Sequence, residues 1–273
     1  MKKLLTLVAT VIFSAQIAYC AEEFGALNLN EARKVSIPIP AIPETAISGN
    51  TLKTVRRING VVWPNCQEAS VSIDPSGDIY RNGDRIGRNA STFRVNCVGD
   101  VAWVTTGSEM YLNETQLGRN ASFTYGISAF SSVVAWSESD GDMHKNDETL
   151  GRDASTFAIA PYNGVVVWKA TDGDIYKDTE ELGRNANSFS LSYKGIAAWS
   201  NTSGDMYRDA QQLGRNVRSF IISGNTGDVA WMSTGDELYK NSSQISRDAA
   251  TFKINPDGQV LWVDRDGVSH ATR

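Results

Sequence analysis

The chain has 273 residues, of which 41% are hydrophobic and 21% are charged, an ordinary globular composition with enough length for a sizeable core. Its net charge of −5 disfavours nucleic acids and anionic membranes as main partners, because an acidic surface attracts neither electrostatically.

The first 20 residues have the pattern of a secretory signal peptide. Lys2 and Lys3 form a basic start, residues 4–18 are largely apolar, and Ala18-Tyr19-Cys20 resembles a small-residue cleavage site. We therefore expect cleavage after Cys20 and export to the periplasm or the medium. A lipid anchor on Cys20 is the alternative, and the bulk of Tyr19 disfavours it. No later stretch reaches the roughly 20 apolar residues that a membrane-spanning helix needs.

Residues 21–50 form a separate segment that contains no repeat. Pro38, Pro40 and Pro43 favour an extended or polyproline conformation. One interpretation is an arm laid against the rest of the protein, and the other is a tether or partner-binding segment.

A repeat of 30–34 residues begins near residue 51 and continues to the end of the chain. One slot of the repeat holds an aromatic residue: Trp63, Phe93, Phe123, Phe157, Phe189, Phe220 and Phe252. A second apolar slot follows about ten residues later: Ile73, Trp103, Trp136, Trp168, Trp199, Trp231 and Trp262. Both series have seven members, so the sequence predicts seven structural units.

Each unit predicts four short β-strands. Alternating apolar residues and turn residues every seven or eight positions indicate strands, and the 3.6-residue spacing of helical repeats is absent. Stacked four-stranded units form either a propeller or an open solenoid. The last unit stops after its third strand, and residues 51–60 supply a surplus fourth strand in which Asn59 aligns with Asn89. We therefore predict an all-β, seven-bladed β-propeller over residues 51–273, closed by this N-terminal strand.

The hairpin phrase "TDGDIY" at 171–176 and the blade pattern carry a likeness to a known superfamily. The chain resembles bacterial exported propellers of the TolB/WD40-like superfamily. The resemblance implies the blade architecture, and it transfers no site residues to this sequence.

The repeated aromatic residues are expected to pack between adjacent blades, because each contributes a large apolar area there. The alternative is that the tryptophans stack on sugars, which their apolar neighbours disfavour. The third strand of each unit carries a further series, which we also expect to pack: Tyr80, Tyr111, His144, Tyr176, Tyr207, Tyr239 and His270.

The turn between the fourth strand of one unit and the first strand of the next carries the phrase Gly-Arg-Asn. The predicted ligand-binding residues are Arg88, Asn89, Arg119, Asn120, Arg152, Arg184, Asn185, Arg215, Asn216 and Arg247. The turn between the second and third strands, on the same face, carries Asp78, Asp142, Asp174, Asp205 and Asp236, with Ser108 in the second unit. Either arginine bonds internally to these carboxylates and turns, or the arginines form equivalent sites for carboxylates, sulfates or sugar hydroxyls.

Cys66 and Cys97 fall in turns of adjacent units, so the sequence predicts a disulfide between them in an exported protein. Two buried free thiols are the alternative.

Catalytic and metal-binding signals are missing from the sequence. His144 and His270 have no metal-ligand spacing around them, and no nucleophile elbow, zinc-protease, P-loop or dinucleotide motif occurs. We expect no cofactor, no metal and no catalytic residues. The sequence therefore favours a monomeric, exported, non-catalytic propeller that recognises a glycan or protein partner through repeated rim loops. The alternatives are a periplasmic or outer-surface assembly scaffold, and a hydrolase or lyase acting at the central channel.

Overall fold

The computed structural model describes residues 52–53, 57–58, 61–62 and 69–272. The predicted signal peptide, the arm at 21–50, Trp63 and Cys66 lie outside these residues. The strands are β1 (Leu52–Lys53), β2 (Arg57–Ile58), β3 (Val61–Val62), β4 (Ser70–Ile73), β5 (Ile79–Arg81), β6 (Asp84–Gly87), β7 (Ala90–Val95), β8 (Val101–Thr105), β9 (Met110–Leu112), β10 (Thr115–Gly118), β11 (Ala121–Ile127), β12 (Val134–Glu138), β13 (Met143–Lys145), β14 (Glu148–Gly151), β15 (Ala154–Ile159), β16 (Val166–Ala170), β17 (Ile175–Lys177), β18 (Glu180–Gly183), β19 (Ala186–Leu191), β20 (Ala197–Asn201), β21 (Met206–Arg208), β22 (Gln211–Gly214), β23 (Val217–Ile222), β24 (Val229–Ser233), β25 (Leu238–Lys240), β26 (Ser243–Ser246), β27 (Ala249–Ile254), β28 (Val260–Asp264) and β29 (Ser269–Ala271).

These strands form repeated antiparallel sheets, and the described part of the chain contains no helix. We number the sheets 1 to 7 along the chain: β1-β4-β5-β6, β7–β10, β11–β14, β15–β18, β19–β22, β23–β26 and the three-stranded β27–β29. A separate hairpin pairs β2 with β3. The all-β prediction and the repeat of four-stranded units are therefore confirmed for the described residues.

The turn between the third and fourth strands fixes the geometry of each sheet. In sheet 2, Asn113 adopts a left-handed backbone conformation with φ of 52°, which asparagine tolerates better than most residues. Its side-chain oxygen accepts a hydrogen bond from the Val101 N–H at 2.9 Å, and its carbonyl accepts one from Trp103 Nε1 at 2.7 Å. Sheets 3 to 6 repeat both bonds with Asn146, Asp178, Asp209 and Asn241.

The tryptophans of sheets 2 to 6 lie in the core, as predicted. Trp199 is 2% exposed, and its ring stacks on Tyr207 with a centroid distance of 4.1 Å. The same pair forms in sheets 2 to 4 and 6, with His144 taking the tyrosine position against Trp136. The third-strand residues of these sheets therefore pack within the blades, which confirms the structural interpretation of that series.

In sheets 1 to 5, a glycine at the end of the fourth strand makes room for the tryptophan of the next sheet. A Cβ added to Gly183 would lie 2.5 Å from the ring of Trp199, closer than real Cβ atoms approach. The same close approach occurs at Gly87, Gly118, Gly151 and Gly214. The glycine of the Gly-Arg-Asn phrase is therefore a packing residue.

One assignment in the aromatic series was wrong. The residue opposite Trp136 is Tyr125 and not Phe123, whereas Phe93, Phe157 and the later members do face their tryptophans. Tyr125 is 4% exposed and hydrogen-bonds the hydroxyl of Thr92. Since Phe123 and Tyr125 are two residues apart, both fit the alternation of a strand, and the longer connection in this unit hid the shift.

The predicted closing strand has a different neighbour in the structure. Leu52–Lys53 pairs antiparallel with Ser70–Val71 and takes the place of the first strand in sheet 1. This pairing satisfies backbone groups along the edge of β4 that would otherwise be unpaired. In the described residues, β29 pairs with β28 alone, so closure of the ring through residues 51–60 is not confirmed.

Candidate binding rim

All ten predicted ligand-binding residues lie in the turns that lead from the fourth strand of one sheet to the first strand of the next. Their side chains are on the surface: Arg88, Asn89, Arg119, Asn120, Arg152, Arg184, Asn185, Arg215, Asn216 and Arg247 are all exposed. We call these turns, together with the turns between second and third strands that they contact, the rim.

The backbone of the rim turn links two sheets. Asn89 is left-handed, with φ of 56°, and its carbonyl accepts a hydrogen bond from the N–H of Thr106 in the next sheet at 2.7 Å. The following N–H, of Ala90, donates to the carbonyl of Gly77 at 2.8 Å. The equivalent bonds recur at each junction between sheets 2 and 7. The two kinds of turn therefore lie on one face, as predicted, and the asparagine has a structural backbone role.

Two of the rim arginines form ion pairs. Arg184 lies 3.0 Å from Glu181 and 4.0 Å from Asp174, and its hydrogen bond to Glu181 raises its pKa above the ordinary value. Arg215 lies 3.7 Å from Asp205. Their side chains are still 72% and 78% exposed, so solvent screens these pairs and they stabilise the fold little.

The other rim arginines, Arg88, Arg119, Arg152 and Arg247, have no ion pair or side-chain hydrogen bond with the residues that the structure describes. The reason is visible at three of them, because the expected carboxylate is either replaced or already occupied. Ser108 stands in place of aspartate in the second unit. Asp78 pairs with Arg85 at 3.1 Å, and Asp236 pairs with both Arg218 and Arg265. The prediction of internal arginine–aspartate pairing thus holds for only part of the rim.

A shallow depression of about 430 Å³ lies at the rim between sheets 5 and 6. Arg215, Asn216, Glu237 and Tyr239 contribute to its lining, together with the edge of Trp231. The combination of a guanidinium, an amide and an aromatic edge suits a small polar group of a larger partner.

A second depression, of about 500 Å³, was not predicted. It lies between the first strands of sheets 5 and 6, where Asn187, Ser190, Ser219 and Arg218 surround the half-buried ring of Phe189. The signal that could have indicated it is the run of polar residues at alternate positions of these strands, which no buried strand would need.

The two histidines take part in packing. His144 is 7% exposed and its Nε2 lies 3.1 Å from Glu138. His270 stacks on Trp262 at 5.2 Å and hydrogen-bonds Asp264 at 2.8 Å, a contact that lowers the pKa of Asp264. In the described ranges, no group of three or more His, Cys, Asp or Glu is arranged to hold a metal ion.

Two further predictions concern features at the edge of the described chain. Cys97 is 4% exposed, but its expected partner Cys66 lies outside the described residues, so the disulfide stays a prediction. Within the described part of the protein, no helix has the length and apolar character required to span a membrane.

Comparisons with known proteins give similarity at the level of structure only. No family model matches the chain, and no curated protein sequence is similar to it. The structures similar to it include the β-propeller domain of Cps50 (Swd1) from Myceliophteria thermophila, with 10% identity, a TM-score of 0.34, and coverage of 73% of this chain and 90% of that one. Hsv2p from Kluyveromyces lactis has 14% identity and a TM-score of 0.35, covering 72% and 86%. A eukaryotic initiation factor has 11% identity and a TM-score of 0.43, covering 73% and 68%. The chain's own all-strand, repeated four-stranded sheets agree with the β-propeller blade architecture that the resemblance implied.

Proposed function

We propose that this protein is an exported, non-catalytic binding propeller that recognises a glycan or protein partner through its rim. The observation that carries this proposal is the repeated arginine position, where Arg88, Arg119, Arg152 and Arg247 present exposed guanidinium groups without a described partner. A packing role does not account for an exposed cation that recurs at the same turn of successive sheets.

The chemistry of the rim favours anionic groups in the partner. A guanidinium is a planar, permanently charged fork that matches carboxylate and sulfate oxygens. Recurrence at each sheet suits a polymer or protein surface that displays several such groups, because linked weak contacts add avidity. The partner of this proposal therefore carries carboxylates or sulfates at several positions, as acidic polysaccharides and acidic protein segments do.

We also infer a monomeric ring of seven blades, closed through residues 51–60. The three-stranded sheet 7 and the alignment of Asn59 with Asn89 support this closure. Deleting residues 51–60 should lower the melting temperature of the whole protein, and an unchanged transition would contradict it. Export rests on the sequence of residues 1–20 and is tested by the N-terminus of the protein recovered from periplasm or medium.

The binding proposal is tested with single arginine substitutions in the mature protein, measured on immobilised acidic polysaccharides and acidic peptides. Arg88→Gln, Arg119→Gln and Arg152→Gln should each weaken binding about twofold to tenfold, and the triple variant should abolish it. Affinity should fall as salt rises, since the contacts are between exposed charges.

Lys194→Gln is the matched control, because it removes one exposed positive charge from a turn on the opposite face. It should leave affinity unchanged. Equal losses from Lys194→Gln and the rim variants would mean that only net charge matters, and a complete loss from one rim substitution would indicate a single site in place of a repeated one.

A further inference from the structure

The depression between β19 and β23 lies where two neighbouring sheets depart from the repeat. The two strands lie side by side, and the depression between them has a volume of about 500 Å³. Small-molecule sites in proteins have volumes of roughly 300–1,000 Å³. The depression reaches the rim at Thr202 and Gly204, but it includes none of the ten arginine and asparagine positions predicted there. We call it the first-strand depression.

One position of the repeat shows this departure, the residue two before the aromatic residue of the first strand. In sheets 2 and 4 it is a serine whose hydroxyl donates to a carbonyl of the second strand. Ser91 donates to Val104 at 3.0 Å, and Ser155 donates to Lys169 at 2.9 Å. A short hydroxyl at this position therefore satisfies a hydrogen bond within its own sheet.

Sheets 5 and 6 carry Asn187 and Arg218 at this position, and both residues line the depression. The Asn187 side chain is exposed and forms no hydrogen bond with other described residues. The Arg218 guanidinium pairs with Asp236 and donates to the sulfur of Met232 at 3.3 Å, so it does not replace the serine bond. Hydrogen bonding within the sheets therefore does not explain why two adjacent sheets carry these longer polar side chains.

The charge at the depression favours an anion. Among the described residues that line it, Arg218 alone is charged. Its side chain is 44% exposed, and it shares the carboxylate of Asp236 with Arg265 of sheet 7. Two guanidinium groups against one carboxylate leave one surplus positive charge, which attracts an anionic ligand.

Arg218 can turn to a ligand without leaving a carboxylate unpaired. Asp236 keeps Arg265 as a partner when Arg218 binds elsewhere. The hydrogen bond from Arg265 is also the main reason why the pKa of Asp236 lies below its ordinary value, and Arg218 contributes less. The Arg218–Asp236 pair is exposed to solvent, so breaking it costs little.

The remaining lining groups match a polyhydroxylated ligand. Ser190, Thr202 and Ser219 line the depression, and their hydroxyls form no hydrogen bond with other described residues. Each hydroxyl can donate one hydrogen bond and accept others, as can the amide of Asn187. The half-buried Phe220 adds an apolar surface of the kind that small-molecule sites combine with a few polar groups.

We propose that the first-strand depression binds one uronic acid residue, a sugar ring that carries a carboxylate. Arg218 binds the carboxylate, because its guanidinium is a forked donor for two oxygens. Asn187 and the lining hydroxyls bind the hydroxyl groups of the ring. The protein has one such site, formed by the two sheets that depart from the repeat, in contrast to the repeated arginines of the rim. A free sugar acid and the end of an acidic polysaccharide share this chemistry.

The test is titration of the full-length mature protein with D-glucuronate and D-galacturonate, followed by calorimetry and by chemical shifts of the labelled protein. D-Glucose and D-galactose lack the carboxylate and acetate lacks the ring, so these are the matched ligands. We expect one saturable site for at least one uronate, at least about tenfold tighter than for the matched ligands, because a hydrogen bond to a charged group is strong. Equal binding of glucose, galactose or acetate, or no saturable binding of either uronate, would overturn the proposal.

Two substitutions restore the residue of the repeat and so should leave the melting temperature close to that of the wild type. Arg218→Ser should weaken uronate binding at least about tenfold, and Asn187→Ser should weaken it about threefold, since the first removes a charged donor and the second a neutral one. Lys253→Gln is the control, because it removes an exposed cation from the first strand of sheet 7, outside the depression. A folded Arg218→Ser protein with unchanged affinity, or an equal loss in Lys253→Gln, would contradict the assignment.

The source of the uronate and the independence from the rim are tested with the same proteins. An oligosaccharide ending in glucuronate that binds more tightly than the monomer would support the polysaccharide end as ligand, and equal affinities would support the free sugar acid. The triple variant of Arg88, Arg119 and Arg152 should keep its affinity for the monomer, because none of these residues lines the depression. Loss of monomer binding in that variant would overturn the site, whereas failure of the rim to bind polysaccharide would leave the monomer result unaffected.

Discussion

The junction between sheets 5 and 6 and the junction between sheets 6 and 7 are built from the same pattern but pack differently. At the first, Trp231 is 2% exposed, stacks on Tyr239 at 4.2 Å and faces Gly214. At the second, Trp262 is only half-buried and stacks on His270 at 5.2 Å.

The sequence difference behind this contrast is small. Ser246 stands where Gly214 stands one repeat earlier, so a position that is glycine at the internal junctions carries a side chain at this one. The outer face of sheet 7 differs too, since Ser269 is exposed at the position where Leu238 is fully buried in sheet 6. The comparison teaches that deep burial of a tryptophan goes together with a glycine at the end of the preceding fourth strand, and that the terminal repeat is atypical, as repeat proteins commonly show.

The largest expected effect comes from replacing the tryptophan at each of these two junctions. Trp231→Ala should lower the free energy of unfolding by about 3–5 kcal/mol, because a fully buried indole is lost and a cavity remains. Trp262→Ala should cost less than half as much, since its ring is already partly in water. Denaturant unfolding of both variants measures the difference. Equal losses in the free energy of unfolding would contradict the proposed contrast between the two junctions.

The glycine positions sharpen the same comparison. In Gly214→Ala, the new Cβ would lie 2.4 Å from ring atoms of Trp231, and forcing the two apart should cost about 1–3 kcal/mol. Ser246→Gly removes a side chain without creating a clash, so it should change stability by less than about 1 kcal/mol. Thermal unfolding monitored by tryptophan fluorescence tests the pair. A Gly214→Ala protein as stable as the wild type would show that the rings move aside freely.

The smallest expected effect is on the pH dependence of stability. It concerns the residue before the second strand, where Asp228 in sheet 6 corresponds to Gln259 in sheet 7. Burial raises the pKa of Asp228, but hydrogen bonds from Asn241 and Lys240 outweigh it and hold the pKa below its ordinary value. A carboxyl group with a lowered folded pKa contributes stability above its unfolded value near 3.8, and that contribution is lost as the pH falls through the folded pKa.

The melting temperature of Asp228→Asn should therefore fall less between pH 5 and pH 3 than that of the wild type does. Gln259→Glu is the complementary control in sheet 7, since it adds a titratable group at the corresponding position. Identical acid profiles for Asp228→Asn and the wild type would show that this carboxylate contributes nothing to stability.

Much of the fold follows from the repeat alone. The periodic tryptophans and the turn residues predicted four strands per unit, and the structure has them from β7 to β26. The exchange of Phe123 for Tyr125 could not be predicted, because two aromatic residues two positions apart both match the alternating pattern of a strand. The packing role of the glycine in the Gly-Arg-Asn phrase could not be predicted either. This glycine contacts the tryptophan ring about 16 residues later, which belongs to the next sheet.

The candidate site, too, could be predicted from the sequence only in part. The rim residues were predicted to share one face because alternate turns of antiparallel strands do so, and the bonds of Asn89 to its two neighbouring turns agree. Which arginines lack a partner depended on side chains from other strands, such as Arg85, Arg218 and Arg265, that compete for the same aspartates. The contacts among the rings of Phe130, Tyr162 and Tyr193 were missed because each ring belongs to a different repeat and meets its neighbour only in the folded structure.

The sequence by itself determined the strand pattern, the repeat length and the polar character of the rim turns, because these depend on local alternation and turn preferences that recur every blade. Only the tertiary structure decided how deeply each tryptophan enters its neighbour, which rim cations lack a described partner and where aromatic rings of separate repeats meet. Those features depend on contacts between residues of different sheets, and a single unit of the repeat contains only one side of each contact.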